Sequence, residues 1–182
     1  MKTYTSDTIK KELKLKIFII TLSDRASQGI YEDLSGKLIR EIVEKDLSEK
    51  GWQYQIHYFV IPDEVDDFRQ KLLKAKAERA DIIFTTGSTG IGPRDIAPDV
   101  VKPLLDKEIP GIMELIRVKY GMTIPNAVLS RGVAGILGNA QIYTLPGSVK
   151  AVKDYMCEIV KTMEHLIFMY HGIDSHGAVK KD

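Results

Sequence analysis

Leu15-Lys16-Ile17-Phe18-Ile19-Ile20-Thr21-Leu22 decides the fold. It is a near-continuous apolar run rich in β-branched residues, which marks a strand covered on both faces, as in a parallel sheet. Asp81-Ile82-Ile83-Phe84-Thr85-Thr86 and Gln141-Ile142-Tyr143-Thr144-Leu145 read the same way. Tyr54 to Ile61 is a fourth strand, and its His57 and Tyr58 place it toward the outside of the sheet. Helical stripes separate the strands. One is formed by Leu34, Leu38 and Ile42 with Ile39, Val43 and Leu47, and another by Val65, Phe68, Leu72 and Ala75. The longest runs through Val149, Val152, Met156, Ile159, Met163, Leu166 and Tyr170; its methionines read most simply as core, with a subunit seam as the alternative. Strands alternating with helices, with Gly and Pro at the joints, specify a layered α/β domain.

The bulk composition agrees. The chain has 182 residues, enough for one domain with a substantial core, and is 44% hydrophobic and 28% charged. Its formal net charge of +1 gives no global field toward nucleic acid or an acidic membrane. No apolar run is long enough to span a bilayer, and the first residues do not have the layout of a signal peptide. The single cysteine, Cys157, has no partner for a disulfide and falls in a helical pattern. It is expected to be a packed hydrophobe, and a cytoplasmic location is expected. The four histidines are dispersed and suggest no metal site. Trp52 after Gly51 is expected to seal a helix-strand joint. Residues 1–13 and 172–182 read as loosely held ends flanking a single domain at 14–171.

In such a sheet, function belongs in the loops beyond the carboxyl ends of the strands. Thr86-Gly87-Ser88-Thr89-Gly90-Ile91-Gly92-Pro93-Arg94-Asp95 combines small residues, hydroxyls and a cation. It reads equally as a cradle for phosphate oxygens, with Asp95 on a metal ion, or as a Gly/Pro turn with Asp95 capping a helix. It lacks the Gly-Lys-Ser/Thr of a P-loop and the spacing of a dinucleotide fingerprint. The first strand leads into Ser23-Asp24-Arg25-Ala26-Ser27, with Asp33 as the N-cap of the next helix. The fourth candidate strand leads into Pro62-Asp63-Glu64, where Asp63 reads, on the residues alone, as the cap of a helix whose dipole Asp66 and Asp67 complement.

Taken in order, Leu22-Ser23-Asp24-Arg25-Ala26-Ser27, Ile61-Pro62-Asp63-Glu64, Thr86-Gly87-Ser88-Thr89-Gly90 with Pro93-Arg94-Asp95, Glu108-Ile109-Pro110-Gly111, Leu129-Ser130-Arg131 and Leu145-Pro146-Gly147 resemble the MogA and gephyrin G-domain family of molybdopterin adenylyltransferases. The resemblance covers about residues 14 to 170. It implies a three-layer α/β/α sandwich with a mostly parallel sheet, assembled as a homotrimer. It implies substrates molybdopterin and Mg-ATP, and products adenylylated molybdopterin and pyrophosphate, for molybdenum cofactor biosynthesis. Asp63 and Asp95 match the family's catalytic acids and are expected to hold Mg²⁺. Thr86, Gly87, Ser88, Thr89, Gly90 and Arg94 are expected to form the ATP and pterin site. Ser23, Asp24, Arg25, Ser130, Arg131, Pro146 and Gly147 are expected to contribute further ligand contacts. A separate protein is expected to insert the metal. Ser88 departs from the family, which usually has a glycine there; a positive φ at this position would strain it. The main rival is a non-catalytic molybdopterin-binding or scaffold protein on the same fold.

Overall fold

The computed structural model describes residues 6–172. The carboxyl-terminal end expected to be loosely held falls, from 173 onward, outside the described residues. Helix α1 (Ser6–Glu12) leads into strand β1 (Lys14–Leu22), the short helix α2 (Asp24–Ser27) and helix α3 (Leu34–Glu49). Strand β2 (Gln53–Ile61), helix α4 (Val65–Ala77), strand β3 (Ile82–Thr86) and helix α5 (Ala97–Val101) follow. The remainder is β4 (Lys107–Glu108), α6 (Pro110–Gly121), the hairpin of β5 (Ala134–Leu137) and β6 (Ala140–Leu145), and α7 (Val149–Tyr170).

The sheet has six strands in the order β2-β1-β3-β6-β5-β4. β2, β1, β3 and β6 are mutually parallel, and β5 and β4 continue the sheet antiparallel. The opening run behaves as a doubly covered strand should. Leu15, Ile17 and Ile19 enter one core with Ile39, Val43 and Leu47 of α3 and Met156, Ile159 and Met163 of α7. Phe18, Ile20 and Leu22 enter a second core with Phe68, Leu72 and Ala75 of α4. Period-two alternation therefore feeds two helical layers, giving the three-layer α/β/α sandwich. β2 is an edge strand, as its polar residues require, and His57 stacks on Phe18 with ring centroids 4.7 Å apart. Trp52 seals the α3–β2 joint: it is buried, its Nε1 donates to Glu164 Oε1 at 2.9 Å, and its ring meets Phe168.

Several expectations are corrected. Within the segment expected to be loosely held, Ser6–Glu12 is helical, and the buried Ile9 and the Lys10–Glu164 ion pair at 2.7 Å dock it on the domain. Cys157 is exposed, because the buried stripe of α7 runs through 152, 156, 159 and 163 and leaves 157 on the other side. Leu34, Val65, Val149 and Tyr170, at the ends of their stripes, are exposed as well. β4, β5 and α6 have no counterpart among the elements expected from the sequence. Among the described residues, no helix is long and apolar enough to cross a membrane.

The chain runs from β1 outward to β2 and then crosses back to β3 on the other side of β1. The loops after β1 and β3 consequently diverge at the point where strand order reverses. That is where open α/β sheets form ligand crevices.

Candidate functional site

Two adjoining cavities occupy this crevice. The polar one, about 630 Å³, is walled by Ser23, Asp24, Arg25, Asp63, Gly87 and Arg94. The other, about 570 Å³, is more apolar and is walled by Thr89, Gly90, Ile91, Tyr120, Ser130, Pro146 and Tyr155, among others. Ser88, Asp95, Gly147 and Ser148 belong to both. Of the residues expected at the site, Thr86 and Arg131 line neither cavity. Thr86 lies buried at the end of β3, where its Oγ1 donates to Pro146 O at 2.8 Å and ties the two loops together.

The loops after β1 and β2 are locked by reciprocal hydrogen bonds. Asp24 N donates to Asp63 Oδ2 and Asp63 N donates to Asp24 Oδ1, both at 3.0 Å. Asp63 therefore does not cap α4. The N-cap is Glu64, which makes no side-chain cap bond, while Asp66 and Asp67 do occupy the first turn as expected. Arg94 Nη2 reaches across from the loop after β3 to both oxygens of Asp24 and to Glu64 Oε1, each at 2.9 Å. The hydrogen bond from Arg94, and then that from the Asp63 backbone, hold the Asp24 carboxyl below its ordinary pKa. Burial pushes Asp63 the other way, helped by the nearby Asp24 charge and opposed by the Asp24 N–H, Ser88 and Arg94. Neighbouring carboxylates whose environments drive them apart are typical of functional sites.

The loop after β3 is built around Asp95. Asp95 Oδ2 accepts from Gly92 N at 2.7 Å, and Ile96 is the residue at the N-cap of α5, so Asp95 does not cap that helix. A Cβ at Gly90 or Gly92 would lie 2.7 or 2.9 Å from Asp95 Oδ2, so the glycines let the backbone wrap the carboxylate. Gly87 has φ +94° and a Cβ there would collide with the Leu22 carbonyl oxygen. Ser88 has φ +58°, the conformation that strains a non-glycine residue. Its side chain compensates: Oγ donates to Arg94 O and accepts from Ile96 N, both at 2.8 Å. The serine thus ties its loop closed where a glycine could not.

Arg131 works from outside the cavities. Its Nε donates to Gly90 O at 2.7 Å, Nη2 to Asp95 O at 2.7 Å, and Nη1 to Asp99 at 2.8 Å. Its fork clamps the Asp95 loop from behind. Ser23 caps α2, accepting from Ala26 N, and Asp33 caps α3, accepting from Gly36 N. Asp33 also accepts from Thr21, Ser35 and Tyr58. Burial raises this carboxyl, but the bonds from Thr21, Tyr58, Gly36 and Ser35 outweigh it and hold it below the ordinary value.

Sequence reasoning missed most of the apolar cavity's wall, notably Tyr120, Ser148, Lys150, Asp154 and Tyr155. Tyr155 sits just before the Met156 of a stripe that reads as core, and Tyr120 lies on α6, which the sequence pattern does not announce. Among the described residues, no group of three or more His, Cys, Asp or Glu side chains could hold a metal ion.

Fold and crevice together define a ligand-binding α/β domain with its site at the carboxyl ends of parallel strands. The chain belongs to the family described as "Probable molybdopterin binding domain", whose model matches residues 18–165. It is 38% identical over 164 residues to gephyrin of Dictyostelium discoideum, covering 87% of this chain and 23% of that much longer protein. It is 35% identical over 159 residues to the molybdopterin adenylyltransferase of Helicobacter pylori strain J99, covering 87% of this chain and 89% of that one. Among solved structures it resembles the molybdopterin biosynthesis enzyme MoaB from Thermus thermophilus. There the TM-score is 0.77 and the identity 34%, with 87% of this chain and 97% of that one covered.

Proposed function

We propose that this chain is a molybdopterin adenylyltransferase, which transfers AMP from Mg-ATP to molybdopterin and releases pyrophosphate. The observation that carries this reading is the pairing of cavities. A polar one containing Asp63, Asp95 and Arg94 opens beside an aromatic one, and Ser88 and the 147–148 turn stand in their common wall. A flat pterin suits the aromatic side and a triphosphate the polar side, with the reacting phosphates meeting at the shared turns.

In the reaction a terminal phosphate oxygen of molybdopterin attacks the α-phosphorus of ATP. The bond from that phosphorus to the β-bridging oxygen breaks, and pyrophosphate leaves with its electron pair. The nucleophile is already ionised, so the site needs no strong base; it must hold two anions together. Asp63 and Asp95 are hard oxygen donors, and too few for a full protein cage. That matches Mg²⁺, which takes one or two carboxylates plus phosphate and water oxygens. When bound, Mg²⁺ would neutralise charge on the triphosphate. The Gly87–Ser88 turn lets the backbone approach phosphate oxygens, and Arg94 supplies a cation beside them. Arg131 fixes the Asp95 loop and Asp24 fixes Asp63, so both carboxylates are held by partners outside the reaction.

A homotrimer fits the outer face of α6 and the turn after it. Leu115, Val118 and Met122 are 55%, 65% and 84% exposed there, beside Val128 and Leu129. The reading is tested by incubating the protein anaerobically with molybdopterin and Mg-ATP and measuring pyrophosphate. Release that requires the pterin supports it. Tight pterin binding without release supports the non-catalytic alternative, and release from ATP alone would indicate a different nucleotide enzyme.

A further inference from the structure

Glu158 is a carboxylate where the core pattern of α7 would accept an apolar side chain. It lies between the core residues Met156 and Ile159 and is itself only 7% exposed. Lys119 Nζ donates to its Oε1 at 2.6 Å, Lys161 Nζ to its Oε2 at 2.7 Å, and the Tyr120 hydroxyl to its Oε1 at 3.2 Å. Removing one partner from a buried ion pair is costly, but the intact pair adds little beyond what an apolar side chain of similar volume would give. Stability alone therefore does not account for the acid, and the direction of its bonds does.

Two of these bonds hold a part of α6 that the core does not reach. The buried residues of α6, Met113 and Ile116, lie in its first two turns, whereas Lys119 and Tyr120 lie in its last. Val118 and Met122 beside them are 65% and 84% exposed. A helix end with no buried side chain frays readily. Tyr120 nonetheless forms part of the aromatic cavity's wall, with Asp154 and Tyr155 of α7 contributing another part. The Tyr120 carbonyl also accepts from Ile124 N at 2.8 Å, just ahead of the turn Pro125–Leu129 that continues the wall. Fixing Tyr120 to α7 thus fixes the width of the cavity between the two helices.

We propose that Glu158 is a positioning residue for the pterin of molybdopterin, an inference that rests on the pterin reading of this cavity: it acts through Tyr120, whose hydroxyl it holds so that the ring keeps its place opposite the α7 wall. Lys119 and Lys161 neutralise and orient the carboxylate, and Tyr120 carries its effect to the ligand. A flat ring binds most tightly to a slot already at its width, since ordering a mobile wall on binding costs free energy. The lysine bonds govern how firmly the carboxylate is held, and the tyrosine bond governs where the cavity wall stands, so the two roles are separable.

The test compares wild type, Tyr120→Phe, Glu158→Gln, Glu158→Ala and the double variant Tyr120→Phe with Glu158→Ala. Each is measured by thermal unfolding without ligand and by anaerobic calorimetric titration with molybdopterin. Glutamine keeps an oxygen for the tyrosine hydroxyl but loses the charge that pairs the lysines. Glu158→Gln should therefore melt lower than Tyr120→Phe, yet bind molybdopterin within about 2-fold of wild type. Tyr120→Phe and Glu158→Ala should each bind about 5-fold more weakly. Adding Tyr120→Phe to Glu158→Ala should change affinity by less than about 2-fold, because the link is already cut. If Glu158→Ala does not fold, the reversed order of Glu158→Gln and Tyr120→Phe in the two measurements decides alone. A purely structural glutamate predicts affinity losses that follow the losses in melting temperature, and that result overturns the positioning role. Unchanged affinity in Tyr120→Phe, with wild type binding normally, overturns it too and leaves the pterin reading intact. Failure of wild type to bind molybdopterin overturns both.

Discussion

Replacing Ser88 by glycine sets a backbone strain against two hydrogen bonds, and the two can be weighed. At φ +58° a non-glycine residue gives up about 1 kcal/mol, which glycine recovers. The change also removes the bonds from Oγ to Arg94 O and from Ile96 N, worth about 1 kcal/mol each. Glycine further gains unfolded-state entropy, costing about 0.4–1 kcal/mol. The sum is a loss of about 1–2 kcal/mol. Ser88→Ala keeps the strain and loses both bonds, for about 2 kcal/mol. Urea unfolding at a fixed protein concentration measures both, and each midpoint should fall with little change in slope. Turnover should fall in both variants, because the loop presenting Asp95 is less firmly closed. A Ser88→Gly protein more stable than wild type would refute the reasoning, since strain alone would then govern this position.

Asp63→Asn should leave stability unchanged or raise it, because a carboxylate held above its ordinary pKa by burial is replaced by a neutral group that can still accept from Asp24 N. Adenylyl transfer should fall by about 100-fold or more, and thermal unfolding beside turnover reads both. Glu158 accepts from Lys119, Lys161 and Tyr120, and these bonds hold its carboxyl at about 2 against the partial opposition of burial. A lowered carboxyl contributes stability above its unfolded value near 4.5 and loses it as pH falls toward about 2. Glu158→Gln should therefore melt lower than wild type at pH 7, and the gap should close in scans taken near pH 2. Arg131→Lys loses a fork that grips the backbone at Gly90 and Asp95, at a cost of about 2–3 kcal/mol. Faster hydrogen exchange in 88–97, with a fall in kcat exceeding any rise in KM, would confirm it as a loop clamp.

The parallel part of the sheet was legible because β1, β3 and β6 are apolar on both faces, a pattern few other structures produce. β5 was not, because Ala134-Gly135-Ile136-Leu137 is short and carries little side-chain signal. α6 escaped because Leu115, Val118 and Met122 spread apolar residues onto its exposed side and blur the stripe marked by Met113 and Ile116. Cys157 illustrates the limit of periodicity: the helix was evident, but one residue's phase on it was not. At the site, the position of Asp63 and Asp95 followed from the strand ends. Their partners did not, since the Asp24–Asp63 exchange joins residues 39 apart and the Arg131 clamp joins residues 41 and 36 apart. Asp63 and Asp95 each look like a helix cap locally; the long-range exchange with Asp24 occupies Asp63, and the bond from Gly92 N, three residues back, occupies Asp95. Tyr155 escaped because it flanks Met156 in a stripe that reads as core, and Tyr120 because it lies on α6, which the pattern does not announce.

AMP transfer leaves the α-phosphorus of ATP on the pterin. ATP labelled at the α-phosphorus, incubated anaerobically with Mg²⁺, molybdopterin and the protein, tests it most directly. Label should appear on the pterin in step with pyrophosphate, and almost none with Asp95→Asn. Label that stays in ATP while molybdopterin is bound tightly would rule out AMP transfer and leave a binding protein on this fold.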